Sequence, residues 1–365
     1  MLSRSILTLG MPSFFAIAGC SDSNKTGQVR SAANEEEPTT TLAQATTSKL
    51  GPADSPGIKI SRTNFHPVLL DQFYQRQFVD YRPTESWAQV PHGETNFDGV
   101  PFLMFGKIDL TGLGRARDGE FQPARVGEIP AGERATRVHL MHGASYDSPD
   151  GTPIACLLLR YENGQARRLF IRYGVHARNW YVEANEVESA LLDARSLVVW
   201  NGNTRPDGSG KPTRLFKTTF DNPLPAERIR AIELLSLFAR ANSVILAITL
   251  EDSPGPAPPA PMEDEDDSQF RREDFLRVLD SDTGQTIQNV SLQLSVTEGT
   301  RTYRFGAYTS DARGQIRISY PPARFQKFIL DVKAPGYLPM NFEILSDEGI
   351  LGTELPVRLK RQLPR

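Results

Sequence analysis

Ile154-Ala155-Cys156-Leu157-Leu158-Leu159 places six apolar residues in succession, bounded by turn-forming residues such as Gly151 and Pro153. A strand exposed on one face alternates apolar and polar side chains, whereas a strand covered on both faces is apolar throughout. The stretch therefore reads as a central, doubly covered strand. That puts Cys156 in a core.

Outward from it, strand-length runs rich in Val, Ile, Leu, Phe and Tyr recur at residues 101–110, 135–141, 168–173, 196–200, 214–220, 228–235 and 244–250. Gly, Pro, Asn or Asp bounds each, and no long amphipathic helix lies between them. Eight such runs imply two packed antiparallel sheets, so residues 64–252 are expected to form a jelly-roll-like β-sandwich in an all-β protein. The composition agrees: Gly 28 and Pro 27 in 365 residues are more turn formers than a helical protein carries.

A second alternating region covers residues 270–365. Within Phe328-Ile329-Leu330-Asp331-Val332-Lys333 the period is two, which turns Phe328, Leu330 and Val332 inward. With runs at 275–279, 290–296, 301–309, 314–320 and 354–360, it predicts a smaller Greek-key β-sandwich. Between the regions, residues 253–269 carry Pro254, Pro256, Pro258, Pro259 and Pro261, then the acidic run 263–267. Such a segment is expected to be extended and solvated, a linker between two independently folding units.

At the N-terminus, Arg4, the apolar run 6–18 and small residues before Cys20 read as an export signal over residues 1–19. It is too short for a permanent span, which takes about 20 apolar residues. Ile17-Ala18-Gly19-Cys20 resembles the lipobox of bacterial lipoproteins. That resemblance implies cleavage before Cys20, acylation of its thiol and new amine, and a membrane held through lipid. Ser21, where Asp would favour inner-membrane retention, implies the outer membrane, on its periplasmic or surface face. Residues 20–63 are poor in large apolar side chains and are expected to form a disordered tether.

The second unit resembles the carboxypeptidase regulatory-like domain, a transthyretin-like sandwich, through Val278-Leu279-Asp280, Thr283-Gly284, Ile287-Gln288-Asn289-Val290, Thr309 with Gly314-Gln315-Ile316, and Val332-Lys333-Ala334-Pro335-Gly336-Tyr337. The resemblance implies a structural or interaction module without zinc ligands. The first unit is similar to an export-associated β-domain of Planctomycete and Verrucomicrobial surface proteins. The residues that carry it include Phe97-Asp98-Gly99-Val100-Pro101-Phe102, His139-Leu140-Met141-His142-Gly143 and Tyr173-Gly174-Val175-His176 with Trp180. That group has no catalytic signature, and carbohydrate binding is what its wider jelly-roll kinship implies.

Charge and motifs narrow the function. Forty-one basic against 44 acidic residues, net charge −3, give no field that would gather nucleic acid. Two cysteines exclude a disulfide scaffold. His139 and His142 sit three apart on a strand, hence on opposite faces, which does not suit a shared metal. Asp147 and Asp150, like Asp280 and Asp282, read first as turns, since one loop supplies too few oxygens for Ca²⁺. No Gly-x-Ser-x-Gly, Ser-x-x-Lys, His-Glu-x-x-His or P-loop occurs. No cofactor and no catalytic residue is expected.

Sugar rings stack on aromatic planes while polar side chains take their hydroxyls. Trp180 with His176, Arg178 and Asn179 is the best such cluster. His142, Tyr146 and Asp150 complete the candidate ligand set. A Trp in a β-sandwich is more often core than platform, so Trp200 is placed in the core, and packing of Trp180 is the leading reading beside ligand contact. The expectation is a non-catalytic, envelope-anchored lipoprotein for adhesion or ligand binding, with glycans or other envelope proteins as partners. A glycosidase or lyase built on the first domain, and a purely structural envelope protein, are the alternatives. Radiolabelled palmitate is expected to label the wild-type protein in cells and not Cys20→Ser; equal labelling of the two would remove the anchor from this reading.

Overall fold

Among the described residues, chain reversals at glycines and aspartates separate twenty strands, one short α-helix and two 3-10 turns, arranged as two β-sandwiches. The computed structural model describes residues 64–183, 186, 190–253, 266–322, 327–345 and 355–362. The signal at 1–19, Cys20, the tether to residue 63, the five prolines and acidic residues 263–265 lie outside the described residues.

The first sandwich runs β1 (Phe65–Pro67), β2 (Arg76–Gln77), β3 (Gly93–Phe97), β4 (Val100–Met104), β5 (Gly106–Asp109), α1 (Leu113–Arg117), β6 (Arg125–Arg134), β7 (Arg137–Ser145), β8 (Pro153–Tyr161), β9 (Ala166–Arg172), β10 (Ser196–Asn203), β11 (Pro212–Asp221), β12 (Arg228–Ser236) and β13 (Asn242–Glu251). One sheet has seven strands, ordered β10-β11-β7-β13-β5-β2 with β1 also on β13; the other has four, ordered β6-β12-β8-β9. All pairs are antiparallel. Leu140 and Ile248 of the large sheet meet Leu157, Leu159, Ile232 and Leu234 of the small one in the main core.

The β8 stretch behaves as its sequence requires. Leu157 and Leu159 belong to the inter-sheet core, while Cys156 and Leu158 join Phe170, Leu235 and Leu237 in a second cluster, against which Phe270 packs. Cys156 is fully buried.

The sheets are unequal, and this positions the site. The main core takes residues from β5, β7 and β13, but only Phe220 from β11 and none from β10. The inner face of β10 and β11 therefore overhangs the four-stranded sheet. The outer face of the large sheet is covered by the β3–β4 hairpin and by Phe78, Trp87 and Trp180.

The second sandwich holds β14 (Arg272–Asp280), β15 (Ser291–Glu298), β16 (Arg301–Thr309), β17 (Gln315–Tyr320), β18 (Lys327–Lys333), β19 (Met340–Leu345) and β20 (Leu355–Leu359). Its sheets are β17-β14-β20 and β16-β15-β18-β19, with β14 and β20 parallel. Phe328, Leu330 and Val332 face inward.

The two sandwiches, expected as independently folding units, are in contact along an apolar seam. Leu113, Ala116, Ala124 and Phe238 of the first part of the chain share one apolar cluster with Leu276, Phe305 and the rest of the second core. Phe238 meets Phe305 edge to face at 5.2 Å. Gly306 admits the backbone at Gln122, whose carbonyl oxygen would lie 2.6 Å from any added Cβ. At the end of the linker Asp266, Ser268 and Gln269 are exposed, while Asp267 pairs with Arg168 at 3.1 Å and Phe270, just beyond it, packs on Phe170 at 6.4 Å. A composition-based boundary registers proline and charge but not the small apolar residues that let two surfaces close.

All three tryptophans, Trp87, Trp180 and Trp200, lie in the first sandwich. Phe305→Ala, in the second, removes a fully buried ring at a cost of about 3–5 kcal/mol. It is expected to lower the unfolding midpoint read by tryptophan fluorescence together with that read by far-ultraviolet circular dichroism. An unchanged fluorescence midpoint would show that the sandwiches unfold separately.

Candidate functional site

Beyond the end of β7, residues 178–182 continue beside β11. Trp180 N donates to Ala144 O at 2.8 Å, Ala144 N to Arg178 O at 3.1 Å, and Arg214 N to Trp180 O at 2.8 Å. Gly174, at φ 73°, makes the preceding turn, with its amide donating to Ala177 O at 2.8 Å. This crossing segment and the turn before it carry four of the seven residues expected to contact a ligand: His176, Arg178, Asn179 and Trp180.

Most of the seven are turned inward. Trp180 stacks on Trp87 with ring centroids 3.9 Å apart and an 11° interplanar angle, and is only 1% exposed. Its placement as a ligand contact is corrected and its packing in the core is what is seen: the bare outer face of the sheet needs an apolar cover, and Trp180 is part of it.

His142 is fully buried, which corrects its placement at a ligand surface. Its Nε2 lies 2.8 Å from Thr218 Oγ1, and the Thr218 hydroxyl donates to His176 O at 3.1 Å. Nε2 is therefore the donor and Nδ1 carries no proton; Nδ1 is buried without a hydrogen-bond partner. Burial pushes this imidazole down to about 3. His176 is also buried. Its Nδ1 accepts from Arg172 N at 3.0 Å, its ring meets Phe220 edge to face at 5.0 Å, and burial lowers it to about 4.

The others are latched to one another. Arg178 donates twice to Asp150, at 2.9 and 2.8 Å. That ion pair holds the guanidinium above its ordinary range. Asn179 is buried, with its carbonyl accepting from Arg214 Nε at 3.1 Å and its amide reaching Asp147 at 3.4 Å. Tyr146, with φ 60°, sits apart beside α1 and donates to Asp118 at 2.5 Å. The structure thus brings Arg178 and Asp150 together, keeps His176 and Asn179 as supports, and leaves Tyr146 elsewhere.

Under the overhang lies a groove of about 870 Å³, lined by Arg178, Val182, Glu183, Glu186, Leu197, Val198, Lys211, Arg214 and Phe216 among others. The register explains the floor: Val198 pairs with Phe216 and Asn201 with Arg214, on the face that Thr218 shares with core residue Leu140. Three cation–carboxylate pairs surround it. Arg178 holds Asp150, Arg214 holds Glu186, and Lys211 holds Glu183 at 3.2 Å. Arg214 is buried, so its charge requires such a partner.

Apart from Arg178, none of the groove residues was singled out in the sequence. The available signals were an arginine on the inward side of the apolar run Leu215-Phe216 and two adjacent exposed aliphatics, Leu197 and Val198, on a terminal strand. Neither discloses that the opposing sheet stops short. Among the described residues no group of three or more His, Cys, Asp or Glu is arranged to hold a metal ion, and no helix is long and apolar enough to cross a membrane.

No protein-family model and no curated protein matches the chain. Among solved structures, a pilus 2b backbone protein of group B streptococcus is similar at 12% identity, over 65% of this chain and 91% of that one, with a TM-score of 0.22.

The two histidines fix an acid response. Both are depressed below the ordinary value of 6.5 by burial. As pH falls below about 6.5 the unfolded chain binds protons that the folded histidines do not, so their contribution to stability is lost progressively down to about pH 4 for His176 and about pH 3 for His142. In His176→Asn the amide oxygen can replace Nδ1 as acceptor for Arg172 N. Its unfolding midpoint is expected to fall less steeply between pH 6.5 and 4.5 than that of wild type; parallel slopes would contradict a neutral buried His176.

Proposed function

We propose that this protein is a bacterial lipoprotein, held at the outer membrane through acylated Cys20, whose first sandwich binds a carbohydrate in the overhang groove and leaves it chemically unchanged. The observation that carries the reading is the make-up of the groove. Val182, Leu197, Val198 and Phe216 offer an apolar wall, and three ion pairs offer donors and acceptors side by side. A sugar presents that same combination, with C–H faces to pack and adjacent hydroxyls that both donate and accept.

The groove replaces the Trp180 platform as the contact surface. Arg178 remains in it, oriented by Asp150, while His176 and Asn179 act by holding the crossing segment. The second sandwich, in this reading a carboxypeptidase regulatory-like module, serves as a spacer or protein-contact surface.

A glycan array probed with the full-length protein in detergent tests this. Wild type is expected to bind at least one glycan class. Lys211→Ala combined with Glu183→Ala, an exposed pair at the rim, and Val198→Asp on the wall are each expected to weaken that binding about tenfold, the loss of roughly 1.4 kcal/mol. No bound glycan, or binding untouched by both changes, would set the groove aside.

A further inference from the structure

We infer that the ligand is a long, uncharged polysaccharide that passes over the edge strand β10 and occupies a second subsite on the opposite face of the same sheet. This rests on the groove reading above and extends it.

The second subsite is a cavity of about 710 Å³ on the outer face. It lies over β11, β7 and the end of β13, beside the turn at Asp98. Its floor is His139, whose Nδ1 is 3.0 Å from Thr219 Oγ1 and whose Nε2 is 2.9 Å from Glu251. Three cation–carboxylate pairs surround this cavity too: Lys217 with Asp98, Arg195 with Asp221 at 2.6 Å, and Arg137 with Glu251 at 3.4 Å. Phe65 supplies an apolar side.

The two cavities meet at β10. Among the described residues that strand ends the seven-stranded sheet, and β11 is the one strand paired with it. Leu197 lines both cavities. Leu197 pairs with Lys217, on the outer face, and Val198 pairs with Phe216, on the inner face. These two adjacent aliphatics are 41% and 44% exposed, so they form an apolar saddle across the edge from one cavity to the other. An open, aliphatic strand edge is a liability for a secreted protein unless something covers it.

The charge pattern selects the ligand class. Each of the six cations around the two cavities is already matched by a carboxylate. An acidic polymer would have to displace those carboxylates, whereas a neutral one can bridge each pair through neighbouring hydroxyls. A short saccharide fills one cavity; only a chain of many units reaches over the saddle into both.

Linked subsites make affinity depend on length, because the second contact forms at high effective concentration. The full-length protein is titrated calorimetrically with neutral oligosaccharides of increasing length from the glycan series identified on the array, and with their parent polymer. The gain from shortest to longest is expected to reach roughly 100-fold. Arg195→Ala combined with Asp221→Ala alters a solvent-exposed pair of the second cavity. It is expected to remove that gain while short oligosaccharides bind as to wild type. Length-independent affinity, a length gain that survives the double change, or a preference for uronic-acid polymers would overturn the spanning subsite and leave the groove standing. Failure to bind any saccharide would instead remove the groove, and the second subsite with it.

Discussion

A seven-stranded sheet cannot be covered by a four-stranded one, and the rest of the first sandwich follows from that mismatch. Apolar sheet faces must be removed from water. The four-stranded sheet does this for β5, β7 and β13 through Leu140, Ile245 and Ile248. Among the described residues no strand lies opposite the inner face of β10 and of β11 before Phe220, and the crossing segment with latched Arg178 fills only part of the gap. What is left is the groove. On the outer face the β3–β4 hairpin and the Trp87–Trp180 stack cover one end, and the polar cavity over His139 occupies the other.

Buried guanidinium groups explain why the groove is polar without being charged. Taking Arg178 or Arg214 out of water without a partner would cost several kcal/mol. Asp150 and Glu186 supply the partners, so each pair adds little net field while retaining directed donors and acceptors. A surface built of such pairs discriminates by hydrogen-bond geometry and shape rather than by electrostatic attraction, which suits a ligand rich in hydroxyls.

The fold was legible where period and length act locally. The doubly apolar β8 stretch and the β10–β13 runs follow from short apolar runs between turn residues, and the inward Phe328, Leu330 and Val332 from alternation. β6 was not legible, because Arg125–Arg134 carries charged residues, Gly and Pro along a strand with few buried side chains. β19 escaped for a similar reason: Asn341 and Glu343 interrupt a short strand that, among the described residues, pairs with β18 alone. His139 and His142 do fall on opposite faces, as strand geometry requires, since their partners across β11 are Thr219 and Phe216. The site was only partly legible. Sequence can mark Trp180 as aromatic and near a loop, but whether its ring faces water depends on which sheet face is already covered. That is a property of strand order, which no local pattern encodes.

The junction between the sandwiches divides its work between two kinds of contact. Apolar closure, through Phe238 on Phe305 and the close approach of Gly306 to Gln122, removes surface from water without specifying a unique orientation. The ion pairs act differently. Glu233, almost fully buried, is shared by Arg125 and Arg160, and Arg125 also reaches Glu273 of the second sandwich at 3.6 Å. Arg271 joins Glu273 and Ser319, at 2.6 and 2.8 Å. Desolvation cancels most of the net stability such a network could supply, but separating its members would strand charge in a poorly hydrated space. Sliding the sandwiches relative to one another therefore costs far more than the intact network contributes. The apolar contacts hold the two together, and the buried charges fix the register at which they are held.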